Sequence, residues 1–228
     1  VIEALGSGVE HLSIGDRVIA GLGFNMSKYG THGETALLPA AFVHRYPDFL
    51  TPAEAASINN PFMTAWGALI DQGEMTAGDV VLVTAASSSV GVAAIQLAAA
   101  VGAIPIAVTR SESKRQQLLD IGASDVIVTE SEDIGERISQ ITGGVGARLI
   151  FDAVGSKTIE RLGDIAANGS IVFLYGAFDL GTAPVPIIPA ITKEIRLWGY
   201  MVYSVHGSPE RLKRAFDEIY GLMQKRGL

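Results

Sequence analysis

The chain contains no cysteine, which excludes disulfides, thiolate metal centres and cysteine nucleophiles together. Histidine is scarce. His11, His32, His44 and His206 are dispersed and form no HxxxH or HExxH spacing, so each reads as a surface or satisfied loop residue. Basic residues are outnumbered, with 17 Lys and Arg against 24 Asp and Glu and a net charge of −7. No cationic stripe is available to neutralise a phosphate backbone, which excludes nucleic acid as the main partner. An unbroken apolar run of bilayer length is also missing, because Ser87 to Ser89, Gln96, Gly102 and Pro105 interrupt the uncharged stretch 80–109. No membrane association is expected. Val1 opens the chain without Met or a signal peptide, inside what reads as a strand, so a fragment or processed form is expected.

What is present is an α/β pattern preceded by a β-rich piece. At 228 residues the chain is long for one domain and short for two. Residues 1–49 read as short strands (Val1–Leu5, Asp16–Ala20, Thr35–Leu38, Phe42–His44) punctuated by glycine, a piece of an all-β unit. A boundary near Leu50 follows, since Thr51 as N-cap, Pro52 at the first helical position and Glu54 form a capping box. Beyond it, strands are expected at Val80–Ala85, Ile104–Val108, Asp125–Thr129, Arg148–Ala153, Ser170–Tyr175 and Ile195–Tyr200. Helices are expected at Pro61–Asp71, Val92–Val101, Ser113–Ile121, Ile134–Thr142, Ile159–Ala166 and Pro209–Lys225. Near-continuous apolar strands alternating with helices predict a Rossmann-type, doubly wound parallel sheet of six strands in residues 50–228.

The richest stretch lies between Asp79 and Arg110. A strand runs into small residues, Ala85 to Ser89 and Val90, and then Gly91 and a helix. A pyrophosphate needs that arrangement: backbone N–H groups, a helix N-terminus and no bulk between them. Ala86, Ser88 and Gly91 stand where the GxGxxG fingerprint would have its glycines, and an ordinary crossover with a polar turn reads the same loop as well. At the end of the second strand, where NAD-selective domains place a carboxylate, the chain has neutral Thr109, then Arg110, Ser111, Glu112, Ser113 and Lys114. Guanidinium and ammonium groups suit a 2′-phosphate. The segment therefore favours NADPH over NADH, unless Arg110, Lys114 and Arg115 merely solvate the next helix.

Other chemistries fail on spacing. No tyrosine has a lysine four residues later, the serine cluster lacks the leading glycine of GxSxG, and Phe151 stands where a P-loop ending at Gly155-Ser156-Lys157-Thr158 needs glycine.

Gly15-Asp16-Arg17-Val18, Pro52-Ala53-Glu54-Ala55-Ala56, Thr64-Ala65-Trp66-Gly67, Gly78-Asp79-Val80-Val81, Asp152-Ala153-Val154-Gly155 and Leu197-Trp198-Gly199-Tyr200 occur in an order that resembles the medium-chain dehydrogenase/reductases. The resemblance is to their zinc-independent quinone oxidoreductase and enoyl reductase branch. It implies a partial GroES-like catalytic domain over 1–49 and an NAD(P)-binding domain over 50–228. It also implies a cytoplasmic enzyme that uses NADPH to reduce a small quinone or an activated C=C bond, and a homodimer formed through the sixth strand of the sheet. Asn60 stands where zinc-dependent relatives carry a cysteine, so carbonyl polarisation by zinc is not expected and no metal site is assigned. Thr129 stands where relatives often have a tyrosine beside the adenosine phosphate. The cofactor site implied comprises Asn60, Thr64, Ser87, Ser88, Ser89, Val90, Thr109, Arg110, Lys114, Val154, Gly176 and Ala177. Tyr200 and Tyr203, after the last strand, are weak candidates for a proton donor, with water as the alternative. The same resemblance admits a non-catalytic NADPH-binding protein, like the lens crystallins and vesicle-associated proteins of this family.

Overall fold

The computed structural model describes residues 1–226. In the N-terminal piece, β1 (Val18–Ala20) pairs antiparallel with β2 (Val43–Arg45), Ile19 opposite His44. The strands expected at Val1–Leu5 and Thr35–Leu38 do not form. Ile2 exchanges backbone bonds with Asp16 (3.0 Å) and Gly15 (2.9 Å), but residues 31–37 are exposed. A strand without a neighbour to take its N–H groups gains nothing over solvated chain.

Helix α1 (Pro52–Ala65) starts at the expected capping box, Glu54 N–H donating to Thr51 Oγ1 at 3.3 Å and Thr51 N–H to Glu54 Oε2 at 2.7 Å. No separate helix begins at Pro61. Instead α1 runs through that proline and widens into a π-helical turn, Trp66–Gln72. Burial of Phe62, Met63, Trp66 and Leu69 along it outweighs the single hydrogen bond that proline removes.

Strands β3 (Val80–Val83), β4 (Ile104–Thr109), β5 (Asp125–Val128), β6 (Ala147–Asp152), β7 (Ala166–Leu174) and β8 (Arg196–Gly199) make one parallel sheet, ordered β5-β4-β3-β6-β7-β8. Side chains alternate between its faces. Val81, Val83, Leu149, Phe151, Ile171 and Phe173 share one core with α1, with α2 (Ser89–Val101) and with the last helix; Leu82, Ile106, Ile150 and Val172 share the other with Ile138, Leu162 and Ile165. This is the doubly wound sheet expected from the sequence.

Three expected helices differ from the prediction. Helix α2 begins three residues early, because Ser88 rather than a later residue caps it. A 3₁₀ turn, Glu112–Lys114, precedes a shorter α3 (Arg115–Asp120), and α4 (Ile134–Thr142) then matches the expected span. The helix expected at Ile159–Ala166 is two, α5 (Ser156–Glu160) and α6 (Leu162–Ile165), broken at Arg161, whose guanidinium bonds Asp133 and Asp164, each at 2.8 Å. β7 consequently starts at Ala166 and absorbs a register shift opposite Ala147 and Leu149. Two short helices were not expected: α7 (Ile187–Thr192), with exposed isoleucines, and α8 (Tyr203–His206).

The last helix, α9 (Pro209–Arg226), returns to α1. Arg211 and Arg214 both bond Asp71, Trp66 Nε1–H donates to Glu218 at 2.7 Å, and the Arg214 guanidinium lies 4.9 Å from the Trp66 ring centroid. Among the described residues no helix is long and apolar enough to cross a membrane.

The N-terminal residues join the first core through Ile19, Tyr46 and Leu50 and make polar and ring contacts with later elements. Asn59 Nδ2–H donates to Ala20 O at 2.6 Å, the His44 ring lies 5.2 Å from Phe216, and Leu22 N–H donates to His206 Nδ1 at 3.4 Å. Burial, with repulsion from nearby His44, brings His206 down from 6.5 to about 4, and His44 is lowered by its own burial and by His11. Between those values the unfolded chain binds more protons than the folded one, so stability falls as pH drops from 6.5 toward 4. Thermal melts between pH 7.5 and 5 should show a steeper loss of Tm in the wild type than in His206→Asn; equal slopes would rule out this histidine as the cause.

Candidate functional site: a crevice at the strand ends

The helices following β3 and β6 leave on opposite faces, since α2 joins the first core and Ile159 of α5 the second. Adjacent parallel strands whose helices diverge open a crevice beyond their carboxyl ends. Asp152 ties the two strands there. It is fully buried and accepts from Thr84 Oγ1 (2.7 Å), Thr158 Oγ1 (2.6 Å), Gly155 N (2.7 Å) and Val154 N (3.3 Å). A carboxylate offers acceptors only, and four donors converge on it. Thr84 Oγ1 in turn accepts from Ala153 N at 3.0 Å.

The serine loop crosses this crevice. Ala85 adopts φ +46°, Ser88 N–H bonds Ala85 O at 2.9 Å, and Ser88 Oγ caps α2 by accepting from Gly91 N at 3.1 Å. Ser89 and Val90 thus form the first turn of α2, where N–H groups have no acceptor within the helix. Ser87 and Ser89 are exposed. Gly91 is demanded by packing, because a Cβ there would lie 2.6 Å from Ala86 O and 2.7 Å from Ala85 O. Helix and strand approach too closely for any side chain.

Beside it, the end of β4 presents the expected cations. Thr109 is buried and its carbonyl accepts from Thr129 N at 2.9 Å and Thr129 Oγ1 at 3.3 Å. Arg115 turns away from the crevice, bonding Glu112 (2.6 Å), Val126 O (2.6 Å) and Glu132 (3.1 Å). It neutralises Glu112. Arg110 and Lys114 are exposed, and among the described residues neither belongs to an ion pair.

On the other side, Val154 and Gly176 follow β6 and β7. Phe178 N–H bonds Ala153 O (2.9 Å), Asp179 N–H bonds Val154 O (2.8 Å), and a Cβ on Gly176 would lie 3.2 Å from Ala153. Ala177 is exposed at this turn. The structure therefore gathers Ser87 to Val90, Thr109, Arg110, Lys114, Val154, Gly176 and Ala177 at the carboxyl ends of β3, β4, β6 and β7. Asn60 and Thr64 lie on α1, Thr64 Oγ1 donating to Asn60 O at 2.7 Å, and among the described residues they share no hydrogen bond with the strand-end residues.

The tyrosine candidates divide. Tyr200 is 4% exposed, its ring edge-on to Phe173 and its hydroxyl against Gly67, where a Cβ would come within 2.2 Å of it; burial pushes its phenol up. Tyr200 therefore packs against the interior. Tyr203 is 46% exposed on α8. Two residues escaped the sequence reading as site members: Asp152, whose signal was a charge inside an apolar strand, and Tyr175, which stacks on Phe151 with centroids 4.0 Å apart. Among the described residues no three His, Asp or Glu side chains converge as metal ligands.

Comparison with known proteins agrees with this geometry. Residues 89–220 match the family model described as zinc-binding dehydrogenase. The chain is 34% identical over 173 residues to the mycocerosic acid synthase-like polyketide synthase of Mycobacterium tuberculosis, covering 75% of the chain and 8% of that protein. It is 32% identical over 176 residues to the quinone oxidoreductase of Salmonella typhimurium, covering 77% of the chain and 53% of that protein. The chain thus spans about half, or far less, of such relatives. The solved Escherichia coli quinone oxidoreductase complexed with NADPH superposes with a TM-score of 0.82 at 26% identity, over 97% of this chain and 67% of that one. The Pseudomonas syringae quinone oxidoreductase gives 0.84 at 25% identity, over 99% and 68%.

Because Gly91 meets main-chain oxygens rather than flexible side chains, Gly91→Ala should destabilise the fold by about 1–3 kcal/mol in urea unfolding. Exposed Ser87→Ala should stay within about 0.5 kcal/mol of wild type. Equal effects at the two sites would contradict the close helix–strand approach.

Proposed function

Because the chain belongs to the medium-chain dehydrogenase/reductase superfamily, in its quinone oxidoreductase and enoyl reductase branch, we propose that it transfers hydride from NADPH to a quinone or an activated C=C bond. One observation carries the cofactor choice. Arg115 takes up Glu112 and leaves Arg110 and Lys114 exposed at the end of β4, where a 2′-phosphate would meet two uncompensated cations. The first turn of α2 would hold the diphosphate by its free N–H groups, with Gly91 admitting the close approach. Val154, Gly176 and Ala177 would border the nicotinamide, and Asn60 and Thr64 would approach it from α1.

When bound, the dihydronicotinamide supplies the hydride. The protein orients and shields. With Asn60 where zinc-dependent relatives carry a cysteine, charge developing on the substrate would be spread by its own conjugation, which favours enones, enoyl thioesters and quinones over simple alcohols. With Tyr200 in the interior, the proton comes from Tyr203 or from water. Division near residue 50 into a partial GroES-like piece and an NAD(P)-binding domain completes the reading. A second reading is cofactor binding without turnover.

We also propose a homodimer through β8. This edge strand is exposed along its whole length, with Leu197 39% and Trp198 42% exposed beside the exposed isoleucines of α7. Trp198→Glu should convert a dimer into a monomer by sedimentation; a wild-type monomer would remove the proposal.

Stopped-flow oxidation of NADPH, with NADH as control, against a small quinone and a 2-enoyl thioester tests the function. Turnover of either substrate is expected, and tight NADPH binding with no turnover would select the second reading. Arg110→Ala should weaken NADPH about tenfold while leaving NADH unchanged. Equal binding of NADH and NADPH by the wild type would overturn the role of Arg110.

A further inference from the structure

Tyr175 follows β7 directly and is held by two elements at once. Its N–H donates to Asp152 O at 3.0 Å, and its ring lies nearly parallel to Phe151, 16° between planes and 4.0 Å between centroids. The phenol oxygen can therefore move little. It is buried, lies beside the Ser88 side chain, and among the described residues has no hydrogen-bond partner of ordinary geometry. Burial pushes this phenol up, so the oxygen keeps its proton and can donate. A buried hydroxyl left without a partner is a standing cost in the unloaded fold.

Ser88 has the complementary vacancy. A serine oxygen offers two acceptor lone pairs and one donor. One lone pair takes Gly91 N–H at 3.1 Å, which caps α2. The second lone pair and the O–H remain. We propose that Tyr175 is a positioning residue for the serine loop: when a dinucleotide engages α2, the Tyr175 hydroxyl donates to Ser88 Oγ and turns the Ser88 O–H outward to the diphosphate. Both protons stay on their own oxygens, and only hydrogen-bond directions change. Tyr175 acts through Ser88 and does not touch the ligand. The inference rests on the dinucleotide reading of the crevice.

NADPH binding, followed by its fluorescence, separates the possibilities. Tyr175→Phe keeps the stack on Phe151 and removes only the hydroxyl. It should raise the NADPH Kd about three- to tenfold, while the ligand-free Tm stays unchanged or rises. In a Ser88→Ala background the same substitution should add nothing, because the relay is already cut. An unchanged Kd in Tyr175→Phe, or additive losses in the double variant, would overturn the positioning role while leaving the dinucleotide site intact. Failure of the wild type to bind NADPH would overturn both.

Discussion

The buried carboxylate of Asp152 is the constraint on which the rest of the crevice depends. A carboxyl group buried at the end of an apolar strand is tolerable only because four donors surround it, and those donors come from three segments. Thr84 belongs to the chain leaving β3, Val154 and Gly155 to the turn after β6, and Thr158 to α5. Satisfying one side chain therefore fixes where two strands end relative to each other. The strand ends in turn set where the serine loop and the turn carrying Gly176 can stand.

Steric and electrostatic demands divide the crevice between them. At Gly91 the helix approaches the loop so closely that main-chain oxygens exclude a β-carbon, which aims the first-turn N–H groups across the gap. At the end of β4 the demand is for charge, and there the arrangement depends on Arg115, a residue outside the crevice. By holding Glu112 and Glu132 it removes the acidic neighbours that would compete for Arg110 and Lys114.

Much of this was legible in the residues, and what was not has a common cause. Strand positions followed from β-branched apolar runs, and α4 matched from its Asp133 cap to Gly143, since both signals are local. The Thr51 box marked the start of α1 correctly, whereas Pro61 suggested a second start because tertiary burial of the following residues is invisible to propensity. The strands expected at Val1–Leu5 and Thr35–Leu38 had the right composition, but the first finds only the two backbone bonds of Ile2 and the second stays exposed. Arg161 splits a helix by reaching Asp133, 28 residues away. Asp152 and Thr84 meet across 68 residues, and no spacing rule connects them. Tyr200 looked available because it follows a strand, yet the absence of a side chain at Gly67 draws it inside.

The exposure of Arg110 and Lys114 ties the protein to its medium. Attraction between solvated charges fades over about 8 Å at physiological ionic strength, whereas steric fit at Gly91 and the enclosed bonds to Asp152 are indifferent to salt. On the proposed reading, discrimination built on these two side chains would be shared between protein and electrolyte. As salt concentration rises, a preference for one nucleotide would weaken before the capacity to hold either is lost.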